Sequence, residues 1–153
     1  GHSVQNHSDG HAHTFSLLGP KAIARDLAAA QETFAAITGE LPRYFRAPAG
    51  LRNPFLAPVL QRLELQLVSW TRRGFDTVQR DADTVLSRLV RGLGPGDILL
   101  AHDGHAARTA DGAAVVVAML PALLDRIDAL GLAAVTLPEA ARAEVAAPTS
   151  MAP

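Results

Sequence analysis

Two histidines four residues apart carry the first chemistry in this chain, in the run Asn6-His7-Ser8-Asp9-Gly10-His11. Where a strand breaks into a loop, that offset can bring both imidazoles to one divalent metal, zinc being the foremost candidate, at about 2.0–2.1 Å. Gly10 would ease such a turn. The same spacing also fits two solvated loop histidines, and His2 and His13 lie close by. Three more polar stations follow in order: Arg46-Ala47-Pro48-Ala49-Gly50, Trp70 with Asp76, and Leu100-Ala101-His102. Each falls where an apolar run ends, which is where parallel α/β folds place their chemistry.

Arg46 at a strand end can clamp a carboxylate through its planar fork and so hold a catalytic acid or base; it also fits an ordinary surface arginine beside a turn. His102 follows four apolar residues, so its ring would emerge at the end of a strand as a general acid, or stay in the core against a carbonyl. Asp76 is a catalytic candidate that could equally cap a turn, and Trp70 is core or ligand wall. His105 reads as solvent-facing.

Short apolar strands alternating with amphipathic helices would position these groups. Strands are expected at residues 3–7, 43–46, 65–70, 97–102 and 132–137, the fourth being covered on both faces. A helix over 20–38 presents Ile23, Leu27, Ala30, Phe34 and Ile37 on one face, with Gln31 off it. Asn53-Pro54 starts a short helix bearing Phe55, Leu56, Val59, Leu60 and Leu63, and Asp81 caps one bearing Val85, Leu86, Leu89 and Leu93. Asp111 opens the last long helix, buried through Val116, Val117, Leu120, Leu123, Leu124, Ile127 and Leu130. The alternation predicts parallel strands in a single α/β domain over 1–142, followed by a mobile Ala/Pro-rich tail over 143–153.

With 153 residues, 48% hydrophobic and 19% charged, the chain is of the globular class and long enough for one core. A net charge of −1 without a basic stripe argues against nucleic-acid binding. The lack of cysteine removes disulfides and thiolate metal sites. No apolar run approaches the ~20 residues of a membrane span. The chain opens on Gly1 and enters a candidate strand at once, which reads as a cut.

Together these stations resemble the polysaccharide deacetylase family, the NodB-homology domain of carbohydrate esterase family four. His7-Ser8-Asp9-Gly10-His11 matches its His-Ser/Thr-x-x-His pair, Arg46 to Gly50 its Arg-x-Pro-x-Gly, and Leu100-Ala101-His102 its Leu-x-His. The resemblance implies an irregular (β/α) barrel, here incomplete, with about two strands missing at the amino end. It implies removal of acetyl groups from an N-acetylated glycan by metal-activated water, in the cell envelope or outside the cell. His7 and His11 would then hold the metal, Arg46 would orient the base and His102 would act as the acid. A backbone N–H near Ala49 would receive the oxyanion, Leu100 would line the acetyl pocket, and Trp70 would contact substrate.

Two departures qualify this. The family's Thr-Phe-Asp-Asp motif, source of the base and the third ligand, is absent, so the segment is expected to be inactive alone. In Trp70-Thr71-Arg72-Arg73-Gly74-Phe75-Asp76-Thr77 the family's first Asp is Arg73 and its last Trp is Thr77, which puts substrate choice in doubt. A non-catalytic remnant binding glycan or a partner chain, or a hydrolase of small non-sugar amides, are the alternatives. An unpaired barrel edge would favour self-association.

Overall fold

The computed structural model describes residues 1–146, which fall in two compact units divided between Ser69 and Trp70. The strands are short and parallel, as expected, but each named strand is only two residues long.

In the first unit, Gly19 and Pro20 start α1 (Pro20–Thr38), since proline's fixed φ suits the first turn, and Gly39 ends it at φ 76°. Strand β1 (Tyr44–Phe45) pairs with β2 (Gln66–Leu67), and α2 (Leu56–Arg62) lies between them in sequence. The expected first strand shrinks to one parallel bridge, Asn6 with Phe45, closed by Asn6 N–H to the Tyr44 carbonyl and Arg46 N–H to the Asn6 carbonyl, both 3.0 Å. Ile23, Leu27, Phe45, Leu56, Val59 and Leu60 form the core with Phe15 and Leu65. Burial of a side chain such as Leu27 is worth about 1.5–3 kcal/mol.

The apolar face of α1 is shorter than its sequence suggests. Ile37 is 76% exposed because the last turn lies past the residues that cover the helix, while Gln31 is buried. Gln31 is tolerated there because its amide is satisfied, donating to the Pro42 carbonyl at 2.9 Å and accepting from Asn6 Nδ2 at 3.0 Å.

In the second unit, β3 (Arg72–Arg73) pairs with β4 (Leu99–Leu100) in the register Arg72 to Leu99 and Arg73 to Leu100. Strand β3 went unseen because arginine pairs look like loop. Helix α3 (Ala82–Val90) is capped by Asp81, whose carboxylate accepts the Thr84 N–H at 2.7 Å, as expected. Val85 and Leu89 pack on Val115, Met119, Leu123 and Ile127 of α4 (Val115–Ala129). Gly74 lets the chain after β3 lie close on α3: a Cβ there would stand 2.5 Å from Val85 Cγ1 and 3.0 Å from the Val85 carbonyl.

Four expectations fail in this unit. Ile98 and Leu99 are half-buried and Ala101 exposed, so β4 is not covered on both faces. Helix α4 begins at Val115 because the Asp111 carboxylate bonds the Thr109 hydroxyl and Gly112 turns at φ 87°. Its buried face also rotates, leaving Val117, Leu120, Leu124 and Leu130 exposed, since a helix apolar all round does not announce its face. The expected fifth strand is absent: α5 (Leu137–Ala146) starts there, with Thr136 N–H on Glu139 Oε2 at 2.8 Å. Thr136-Leu137-Pro138-Glu139 is half a capping box, a helix-start signal that outranked the apolar run. Residues 143–146, expected in the tail, belong to α5, and the remainder of the tail lies outside the described residues. No helix among the described residues is long and apolar enough to cross a membrane.

Candidate functional site

The loop that carries the histidines of the first unit is built from side chains bonding backbone. Ser8 and His11 take left-handed φ values of 75° and 43°, uncommon for residues other than glycine and strained without support. Three side-chain bonds supply the support. Asn6 Oδ1 accepts the Ser8 N–H at 3.0 Å, Ser8 Oγ the His11 N–H at 2.9 Å, and Asp26 Oδ1 the Gly10 N–H at 2.9 Å. Asn6, 1% exposed, also donates to the Leu27 carbonyl at 3.1 Å, tying the loop to α1. Gly10 has no positive φ; it admits Asp26, whose Oδ1 would lie 3.2 Å from a Cβ.

The result brings His7 and His11 together, their ring centroids 4.9 Å apart and edge to face. Two imidazoles ligating one ion at about 2.0–2.1 Å have centroids roughly 5 Å apart. His7 Nδ1 lies 2.7 Å from the Arg46 carbonyl. A carbonyl can only accept, so Nδ1 carries a hydrogen, and in the neutral ring Nε2 then holds the lone pair, the tautomer that a carbonyl partner selects in metal-ligating histidines. As donors, the pair fits two ligands of a divalent metal. Among the described residues no three His, Cys, Asp or Glu side chains group to hold an ion.

Arg46 is half-buried at the end of β1, and burial holds its pKa below the ordinary arginine value. One Nη donates to the Ser69 carbonyl at 3.3 Å; the Nε is buried with no hydrogen-bond partner, and no carboxylate pairs with it among the described residues. Asp26 Oδ2 is likewise buried without a hydrogen-bond partner. Ala49 sits in the Pro48–Gly50 turn at φ 52°, exposed, between buried Pro48 and half-buried Gly50.

The second unit holds a different constellation. Asp76 is 1% exposed, and its two carboxylate oxygens divide their work over His102. Oδ2 accepts the His102 backbone N–H at 2.6 Å; Oδ1 lies 3.0 Å from the ring Nδ1. Asp76 therefore caps no helix, a task left to Asp81. It fixes the ring so that Nε2 points away from the carboxylate, the orienting role a buried aspartate plays for a proton-transferring histidine. The His102 side chain is 42% exposed. Leu100 is buried in β4, Trp70 half-buried and His105 exposed. Sequence reasoning missed Asn6, Asp26 and Gln31; the one signal was the spacing of Asn6 and Ser8, which suits a side-chain turn over the backbone two residues on.

A family model described as Polysaccharide deacetylase matches residues 1–68. A chitooligosaccharide deacetylase of Azorhizobium caulinodans is 28% identical over 105 residues, 68% of this chain and 50% of that protein. Another, of Bradyrhizobium sp., is 29% identical over 106 residues, 69% and 48%. Among solved structures, a family 4 carbohydrate esterase from Streptomyces lividans, in complex with acetate, superposes with a TM-score of 0.74 at 27% identity, covering 86% of this chain and 63% of that one. A CE4 family pseudoenzyme from Bacillus anthracis gives 0.77 at 22% identity, covering 90% and 45%, a likeness of fold. The chain is thus similar to polysaccharide deacetylases, by family model over residues 1–68, and it spans about half the length of the curated relatives it matches.

Proposed function

We propose that this chain serves a metal-dependent amidohydrolase that removes acetyl groups from N-acetylated glycans. The observation that carries the reading is the His7 to Arg46 carbonyl contact beside the edge-on ring of His11. His7 and His11 would hold the metal, most readily zinc, His7 through the ring nitrogen turned away from the Arg46 carbonyl. When bound, a divalent metal supplies polarisation of the amide carbonyl and an acidified water. Arg46, with its buried unpartnered Nε, orients a carboxylate base. The Ala49 backbone N–H donates to developing negative charge, Leu100 meets the acetyl methyl and Trp70 contacts the sugar. His102, held at Nδ1 by Asp76, passes a proton from Nε2 to the departing nitrogen.

Because the described residues offer two ligands where catalytic zinc takes about three from protein, the 153 residues alone are proposed to turn over slowly or not at all. The same shortage favours a second reading, a non-catalytic glycan-binding domain of this fold. Zinc retention and acetate release from chitooligosaccharides separate them. Zinc held by the chain and lost in His7→Ala and His11→Ala supports the metal site. Zinc binding that ignores both substitutions defeats it, and turnover equal to that of a curated relative defeats the two-ligand account.

A further inference from the structure

Beyond the residues assigned above, the second unit carries an unspent cationic cluster. Arg73 stacks its guanidinium 3.9 Å from the centre of the Phe75 ring, and Arg88 of α3 places its own 5.4 Å from that centre. All three side chains belong to exposed residues. Neither guanidinium has a carboxylate partner among the described residues, whereas neighbouring Arg72 is paired with Asp97 at 2.6 Å. Arg88 Nη1 additionally reaches the Gly74 carbonyl at 3.3 Å. Two like charges gathered on one aromatic ring repel, and an anion between them would relieve that repulsion. Phe75 does its gathering at φ 61°, a left-handed conformation that a bulky residue rarely adopts. It directly precedes Asp76, whose carboxylate holds His102. Arg73 lies opposite Leu100 in the strand register, two residues before His102.

We propose that Arg73 and Arg88, positioned by Phe75, bind an oxyanion group on the glycan, so that this domain selects acidic N-acetylated chains over neutral ones. The proposal rests on the glycan reading above and names the substrate class within it. Planar guanidinium forks match carboxylate and sulfate oxygens alike, and a pair of them gathered on Phe75, the residue before Asp76, would add an anion contact to the glycan.

Affinities of the whole chain for three N-acetylated oligosaccharides test this: neutral N-acetylchitotetraose, a hyaluronan tetrasaccharide bearing carboxylates, and a sulfated chondroitin tetrasaccharide. At about 0.02 M salt the acidic chains are expected to bind roughly 10-fold more tightly than the neutral one, an advantage that shrinks at about 0.5 M. Arg73→Gln and Arg88→Gln should each reduce the preference, Arg73→Lys should keep part of it, and Phe75→Leu should weaken it by releasing the guanidinium groups. The carboxylate and sulfate arms show which oxyanion is taken. Equal affinity for neutral and acidic chains, or a preference that survives both glutamine variants in folded protein, overturns the proposal. Acetate release is a separate readout. A retained acidic preference with no zinc site sinks only the deacetylase reading, and zinc-dependent turnover without preference sinks only this one.

Discussion

The two units hold their histidines in opposite ways. In the first, His7 is fixed by a neutral backbone carbonyl at 2.7 Å; in the second, His102 is fixed by a buried carboxylate at 3.0 Å. A carbonyl settles the tautomer without adding charge, which suits an imidazole that lends a lone pair to a cation. A carboxylate settles it and also stabilises the imidazolium formed when the ring takes a proton. The partner, more than the histidine, separates the proposed ligand from the proposed proton carrier.

Removing the support of the His7 loop should perturb the first unit most. Leu27→Ala should cost the first unit about 2–5 kcal/mol, read from denaturant unfolding, because it empties a core site whose carbonyl also anchors Asn6. His11→Ala should lower zinc affinity more than the roughly 10–100-fold that losing an outer partner costs, as measured by competition with a chelating dye. In the second unit Asp76→Asn should cost about 1–3 kcal/mol and alter the His102 tautomer, visible in ring-nitrogen NMR shifts. A normal tautomer in that variant would remove the distinction between the units.

Acid supplies a further test. Bonds from the Thr71 hydroxyl, from Arg72 and from the Gly94 N–H hold the Asp97 carboxyl down at about 2. An unfolded aspartate titrates at about 3.9, so this support is complete above that pH and is lost as the pH falls toward 2. Amide exchange near β3 and β4 should therefore rise on acidification through that window, and Asp97→Asn should flatten the response. The smallest effect belongs to His105→Ala on an exposed loop, expected to change stability by less than about 0.5 kcal/mol.

Much of this was legible in the residues. The bounds of α1 came from Pro20 and Gly39, and the start of α3 from Asp81, because caps are local physics. The pairing of His7 with His11 also followed local spacing. What the sequence hid depends on partners distant along the chain. Gln31 is buried only because Asn6 and Pro42 satisfy it, and Asp76 turns to His102 across 26 residues. Apolar residues all around α4 left its inner face undetermined until α3 packed on it.

The proposed metal site needs His7 to offer Nε2, beside His11, to one cation while Nδ1 of His7 stays bound to the Arg46 carbonyl. Nitrogen NMR of the imidazole rings during zinc titration tests it directly. Zinc is expected to shift Nε2 of His7 and one ring nitrogen of His11 together, reaching saturation at one ion per chain, with the Nδ1 hydrogen of His7 retained. Zinc that shifts neither ring, or that binds through Nδ1 of His7, would contradict it.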